Sequence, residues 1–404
     1  MSGFKGWQQI AATMVLQAVS SGSIFISYSV LAGSYQQAFG TSRMLVMMAI
    51  SAVILGTGIL SPILGKAMEK SSIRHLMVLG GGLLGLGFMA ASRAQSMQQL
   101  LVIYFVFMAS AAVLMGPIAG SALLARWFTK RRGLAMSLSA AGAAVGGLIA
   151  PPLLQWLIDA YTWRQALLVY GIGVLVITLP VAWFLVINRP TDINQYPDGA
   201  DEAPTQAQSA SENLGWGFYL RDRNFWLLGI VLGVLFGSSM GITKNLIQYA
   251  GEMGIDAQRA ALLLSIYSAS NFVGKLGTGA LADKINPRLL LGAVIVLFTL
   301  AVLSFTQFTA YTMLISACLV FGISQGGIVP LWSVLIARLY GPDRVGRSMG
   351  MMSLLLTPFN LVAAPFFGAV ADRTGSYQGA FLVAAALLIF ATILLGLIRE
   401  RPES

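Results

Sequence analysis

The run SIYSASNFVGKLGTGALADK, residues 265–284, holds an ammonium group, Lys275, within a stretch that otherwise reads as membrane-spanning helix. Charge is costly in hydrocarbon, and ionisable residues in such segments face a bundle interior or a water-filled cavity. Asn271 stands four residues earlier, so a helix sets its amide on the same face as the ammonium. Lysine supplies a compact point charge there, and the amide adds polar atoms beside it. The competing reading is a lysine that snorkels to the headgroups. In a helix running from outside to inside, side chains lean toward the N-terminus, which tilts Lys275 toward Asn271 and the membrane centre.

Lys244, in GITKNLIQYAGEMG, is the second lysine in an apolar run, near the outer end of its helix with Asn245 and Gln248 beside it. Two readings stand for it, a stem reaching the interface or a charge that attracts anions at an outer gate. Tyr28 in SSGSIFISYSV, Trp332 and Asn360 are polar or aromatic residues in other apolar runs, each a candidate cavity contact with helix packing as the alternative.

The elements that position these residues are helices in a bilayer. Of 404 residues, 57% are hydrophobic and 10% charged, with a mean hydropathy of +0.77, far more apolar than a soluble domain. The formal charge of +10 would suggest a nucleic-acid partner if its sources shared one wet face, which their scatter along the chain denies. One cysteine, Cys318, and one histidine, His75, provide neither a disulfide framework nor a multi-ligand metal site. No cofactor is expected. The first apolar run follows Lys5 without an evident cleavage site, so it is expected to persist as the first helix.

A span takes roughly 20 apolar residues, and breaks at Gly, Pro and charge give twelve runs, near 10–33, 43–66, 75–92, 98–125, 133–158, 166–188, 225–248, 258–282, 289–306, 311–338, 345–371 and 378–398. The expected class is an all-α integral membrane protein of twelve transmembrane helices. Its halves are 1–188 and 225–404, joined by a cytoplasmic linker at 189–224 rich in Pro, Gly, Ser and Gln. With both termini inside, eighteen Lys and Arg fall in inner loops and tails. Only Arg43, Arg93, Arg164, Arg259 and Arg373 lie outside, which sets both termini in the cytoplasm.

The halves repeat. GKAMEKSSIR aligns with GALADKINPR at a spacing of 214, pairing Gly65 with Gly279, Glu69 with Asp283, Lys70 with Lys284 and Arg74 with Arg288. Two homologous six-helix halves related along the membrane normal imply a rocking transporter with its site at their interface. The eight paired residues are candidates for conformational gating, through ion pairs or helix caps at the cytoplasmic face, with a solvated charge cluster as the alternative.

This loop pattern, present after the second and eighth helices, resembles that of the major facilitator superfamily across the whole chain. FGTSR at 39–43 and RWFTKRRGLAMSLSAAGAAVGG at 126–147 resemble the monocarboxylate transporter branch, with its bacterial lactate-type and oxalate–formate relatives. The sequence departs at Ser137, where that branch usually has glycine, and in KGWQQI, which lacks an acidic residue found in many animal members. The resemblance implies a substrate-binding cation in the eighth helix, which falls on Lys275 in place of the arginine typical of the branch.

No Asp or Glu lies clearly inside a span, which favours an anionic substrate over the cations that drug exporters carry. The interior of the eleventh run adds no Lys or Arg, which favours a monoanion over the compact dianion of the oxalate exchanger. The expected function is secondary active transport of small organic anions, monocarboxylates above all, by a monomer in a bacterial inner membrane, with no enzymatic step. Its partners are the anion, bilayer lipids and, where transport is coupled, protons carried by Lys275 or by the substrate as a neutral acid. The alternatives are an exporter of amphipathic compounds and a non-transporting sensor of the same fold.

Overall fold

The structure is a computed structural model that describes residues 4–128, 131–200, 216–282, 285–307, 310–340 and 345–398. Its membrane helices are α1 (Gly6–Ile26, continued by Tyr28–Phe39), α2 (Arg43–Lys70), α3 (Ile73–Ser92), α4 (Met97–Trp127), α5 (Ala135–Ala160) and α6 (Trp163–Leu185). They are followed by α7 (Arg223–Glu252), α8 (Ala257–Ala282), α9 (Pro287–Gln307), α10 (Tyr311–Tyr340), α11 (Val345–Thr374) and α12 (Gln378–Gly396). Eleven of these meet the length and apolarity of a span. The twelfth, α8, has 26 residues, enough to cross, and is diluted by Ser265, Ser268, Ser270, Asn271, Lys275 and Thr278. The least apolar span is therefore the one that carries Lys275.

The repeat extends into the helix caps, always at the same spacing of 214. Gly40 and Gly254 take left-handed backbone, at φ 57° and 74°, in the turns after α1 and α7, where a side chain would strain the chain. Ser42 Oγ accepts from Leu45 N at 3.1 Å before α2, and Asp256 Oδ1 accepts from Arg259 N at 2.9 Å before α8. Ser72 Oγ receives His75 N, and Asn286 Oδ1 receives Arg288 N, ahead of α3 and α9. Thr162 and Gln165 form a capping box at α6.

The chain divides into two compact units, Met1–Thr41 with Met48–Ala207, and Ser42–Met47 with Gln208–Ser404. Within the first, α1 packs on α5 and α3 on α6; within the second, α7 packs on α11 and α9 on α12, the equivalent pairs. Glycines permit the closest approaches. A Cβ on Gly142 or Gly146 of α5 would collide with the carbonyls of Met14 and Ala18 on α1. In the second unit, Gly322 and Gly326 of α10 sit directly on the backbone of Tyr267 and Asn271. There too, the Asp372 carboxylate accepts from the backbone N–H groups of Arg43 and Met44, at 3.1 and 3.0 Å, while the Arg43 guanidinium pairs with Glu252 at 2.5 Å. Parts of the linker are ordered as short helices at Pro190–Ile193, Pro197–Gly199 and Trp216–Arg221.

Candidate functional site

Ser268, Asn271 and Lys275 occupy positions i, i+3 and i+7 of α8, one polar arc between its α10-facing side and the exposed apolar side of Val273 and Leu276. The α10-facing side is locked. Gly274 abuts the Ile323 carbonyl, the Lys275 N–H lies 2.7 Å from a Cβ built on Gly326, and Thr278 packs on Gly327. The backbone bearing Asn271 and Lys275 is therefore held by α10, while both side chains stay half-buried at the edge of that contact. Among the described residues the ion pairs are Arg43 with Glu252 and Arg259 with Asp256, and none engages Lys275. Ser268 Oγ is buried without a hydrogen-bond partner. An ammonium, an amide and a hydroxyl on one face can bind a carboxylate and orient it.

Other expected contacts fall elsewhere in the second unit. Lys244 is buried, at 3% exposure. Asn245 is wholly buried. Its Nδ2 donates to the carbonyls of Gly241, at 2.8 Å, and Ala364, at 3.4 Å, tying α7 to α11, while its Oδ1 has no hydrogen-bond partner. Trp332 on α10 packs edge-on against Phe236, ring centroids 5.9 Å apart, and its buried Nε1 likewise has no partner. Asn360 is half-buried on α11.

In the first unit, Tyr28 is fully buried among tyrosines. Its ring stands edge-on to Tyr104 at 5.4 Å, and Tyr35 and Tyr104 share a hydroxyl contact of 3.1 Å. This is a packed aromatic cluster. The main polar feature of that unit escapes the sequence reading. Gln17 Nε2 donates to Ser139 Oγ at 2.6 Å, Ser139 Oγ donates to Thr13 Oγ1 at 2.8 Å, and Thr13 donates to the Gln9 carbonyl at 2.9 Å. Gln9 continues the chain, bonding Leu185 O and Ile187 N at the end of α6. Its signal was present as Gln9, Thr13 and Gln17, a polar residue at every fourth position on one face of the helix.

Of the loop residues, Asp283 and Lys284 lie outside the described residues, and so do the side chains of Gly65, Glu69 and Lys70. Gly279 is half-buried near the end of α8. Arg74 and Arg288 play one part twice: Arg74 Nε donates to Val186 O at 2.6 Å, and Arg288 donates to Leu395 O at 3.0 Å and to Gly396 O. Each binds the orphan carbonyls that end the last helix of its unit, where positive charge also complements the helix dipole. No group of three or more His, Cys, Asp or Glu among the described residues could hold a metal ion.

The profile of the Major Facilitator Superfamily matches residues 13–357 and 240–404. Among curated proteins, monocarboxylate transporter 12 of Rattus norvegicus is 28% identical over 305 residues, covering 68% of this chain and 61% of its own length. Monocarboxylate transporter 13 of the same species is 29% identical, covering 66% and 60%, and monocarboxylate transporter 11 of Mus musculus is 27% identical, covering 72% and 65%. The matches thus span about three-fifths of those relatives' lengths. Among solved structures, a bacterial homologue of the human lysosomal transporter Spinster, inward-facing and occupied, aligns with a TM-score of 0.74 at 12% identity over 100% of both chains. A mutant of the nucleoside transporter NupG aligns with a TM-score of 0.75 at 12% identity, over 98% of this chain and 100% of its own. At such identities these two show the fold.

Proposed function

We propose that this chain, which belongs to the Major Facilitator Superfamily, is a secondary active carrier of small organic anions, monocarboxylates above all, working by alternating access. The observation that carries this reading is Lys275, a half-buried ammonium on the least apolar span, with Asn271 and Ser268 on its face and no ion-pair partner among the described residues. A charge held there without a counter-ion is stabilised when an anion arrives. The similarity to monocarboxylate transporters supports the same substrate class. On this reading the carrier is a monomer of a bacterial inner membrane with both termini in the cytoplasm, and Trp332, Asn245, Asn360, Lys244 and Tyr28 shape the solute path. The paired loop residues Gly65, Glu69, Lys70, Arg74, Gly279, Asp283, Lys284 and Arg288 serve the conformational cycle.

Purified protein in proteoliposomes, offered radiolabelled lactate, pyruvate and related acids with and without a pH gradient, tests the proposal. Saturable uptake or exchange of a monocarboxylate is expected, and the gradient dependence reports whether protons move with it. Failure to move any carboxylate, with robust transport of a cationic or neutral solute, overturns it.

A further inference from the structure

Each unit has an apolar recess open at its surface, and the two occupy equivalent places in the repeat. One, of about 410 Å³, lies among α7, α11 and α12; the other, of about 470 Å³, lies among α1, α5 and α6. Part of their walls corresponds at the spacing of 214: Ile149 with Ala363, Leu153 with Phe367, Val169 with Val383. Proline interrupts the wall helix at the same place in both, Pro151 in α5 and Pro365 in α11, where it removes a backbone donor and bends the helix.

We infer that each recess seats an acyl chain of a bilayer phospholipid. Water is a poor occupant, because apolar cavities stay dry. The linings are almost wholly apolar; the polar residues among them are Ser238 in one and Tyr170 in the other, and the Tyr170 hydroxyl is already bonded to Ser23 at 2.8 Å. At the rims, apolar side chains in the middle of spans stand exposed, Ile149 at 54% and Val362 at 59%. Residues 201–215, DEAPTQAQSASENLG, hold no apolar run that could be inserted there. Hydrocarbon from the bilayer is the solvent these mouths meet. Because lipid tails are as apolar as the walls, the seat works by shape and packing. The two filled recesses would brace the α1–α5 and α7–α11 contacts, separately from any solute path.

The test uses the full chain in proteoliposomes of phosphatidylethanolamine and phosphatidylglycerol, doped with a phospholipid bearing a photoactivatable diazirine along its acyl chain. Crosslinked peptides are read by mass spectrometry. Labelling is expected to concentrate on the α1, α5, α6 and α7, α11, α12 walls, above the level around Leu289, which is 71% exposed and lines neither recess. Gly173 has open space where a side chain would go, so Gly173→Phe fills the recess among α1, α5 and α6 without a backbone clash, and Ala363→Phe fills the one among α7, α11 and α12. Each should lower labelling at its own recess about tenfold, roughly 1.4 kcal/mol, and leave the other unchanged. Even labelling along the whole apolar belt, labelling unchanged in both variants, protection by lactate or pyruvate, or crosslinking to a second copy through these walls would each overturn the inference.

Discussion

Lys275 and Gln17 represent two fates of a polar side chain in a membrane helix. The Lys275 ammonium is held at the edge of a close helix contact with no acidic partner among the described residues, whereas Gln17 is bound into a hydrogen-bond chain that reaches the end of α6. Hydrogen bonds to charged groups contribute roughly 1.5–3 kcal/mol, so Lys275→Ala should weaken anion binding by about one to two powers of ten at equal membrane expression. Lys275→Arg should keep part of the binding, because the charge remains, while Lys275→Gln should resemble the alanine variant. Affinities within about twofold of wild type in both the alanine and glutamine variants would exclude Lys275 from substrate binding; the factor is well below what a lost charged hydrogen bond implies. Ser139→Ala should act on stability instead, by about 1–3 kcal/mol, since it leaves the buried Gln17 amide without its acceptor. Thermal unfolding in detergent would register that as a lower midpoint.

At the scale of elements, the two units reuse one set of contacts with different residues. Gly326 is where this matters for α8: a Cβ there would strike the Asn271 carbonyl and crowd the Lys275 N–H. Overpacking of this kind costs typically about 1–3 kcal/mol. Gly326→Val should therefore lower the unfolding midpoint and displace Asn271 and Lys275 together, reducing anion affinity along with stability. Gly173→Ala, made where space is open, should be close to neutral on both measures. The arginine caps allow a cleaner test. Arg74 and Arg288 bind helix-ending carbonyls within different units and share no partner, so the losses from Arg74→Ala and Arg288→Ala should add within about 0.5 kcal/mol. A double variant no worse than either single one would show that one of the caps contributes nothing.

For the whole molecule, the bias of basic residues implies cytoplasmic termini, and the lone cysteine makes this directly measurable. Cys318 is fully buried, so a membrane-impermeant maleimide should leave it unmodified in intact cells. A cysteine at exposed Gln95, between α3 and α4, should label from outside, and one at exposed Thr191, after α6, only once the membrane is opened. The reverse pattern would invert the topology.

Sequence alone determined the twelve spans, the six-plus-six repeat and the position of the intramembrane cation, because each rests on periodicity or composition along the chain. Hydrocarbon requires about 20 apolar residues whatever their neighbours, and the doubled loop pattern is visible as text. It also placed Asn271 beside Lys275, since helical spacing fixes that face. What it left open is which polar groups the fold already satisfies. For Tyr28 the sequence left a cavity contact and helix packing equally open, and only the tertiary structure shows its ring set among Tyr35 and Tyr104. Arg74 and Arg288 carried the repeat, yet their acceptors at Val186 and Leu395 lie more than a hundred residues along the chain. Tertiary structure decided these cases because a hydrogen-bond partner is chosen by distance in space, whereas helical periodicity specifies only the direction in which a side chain points.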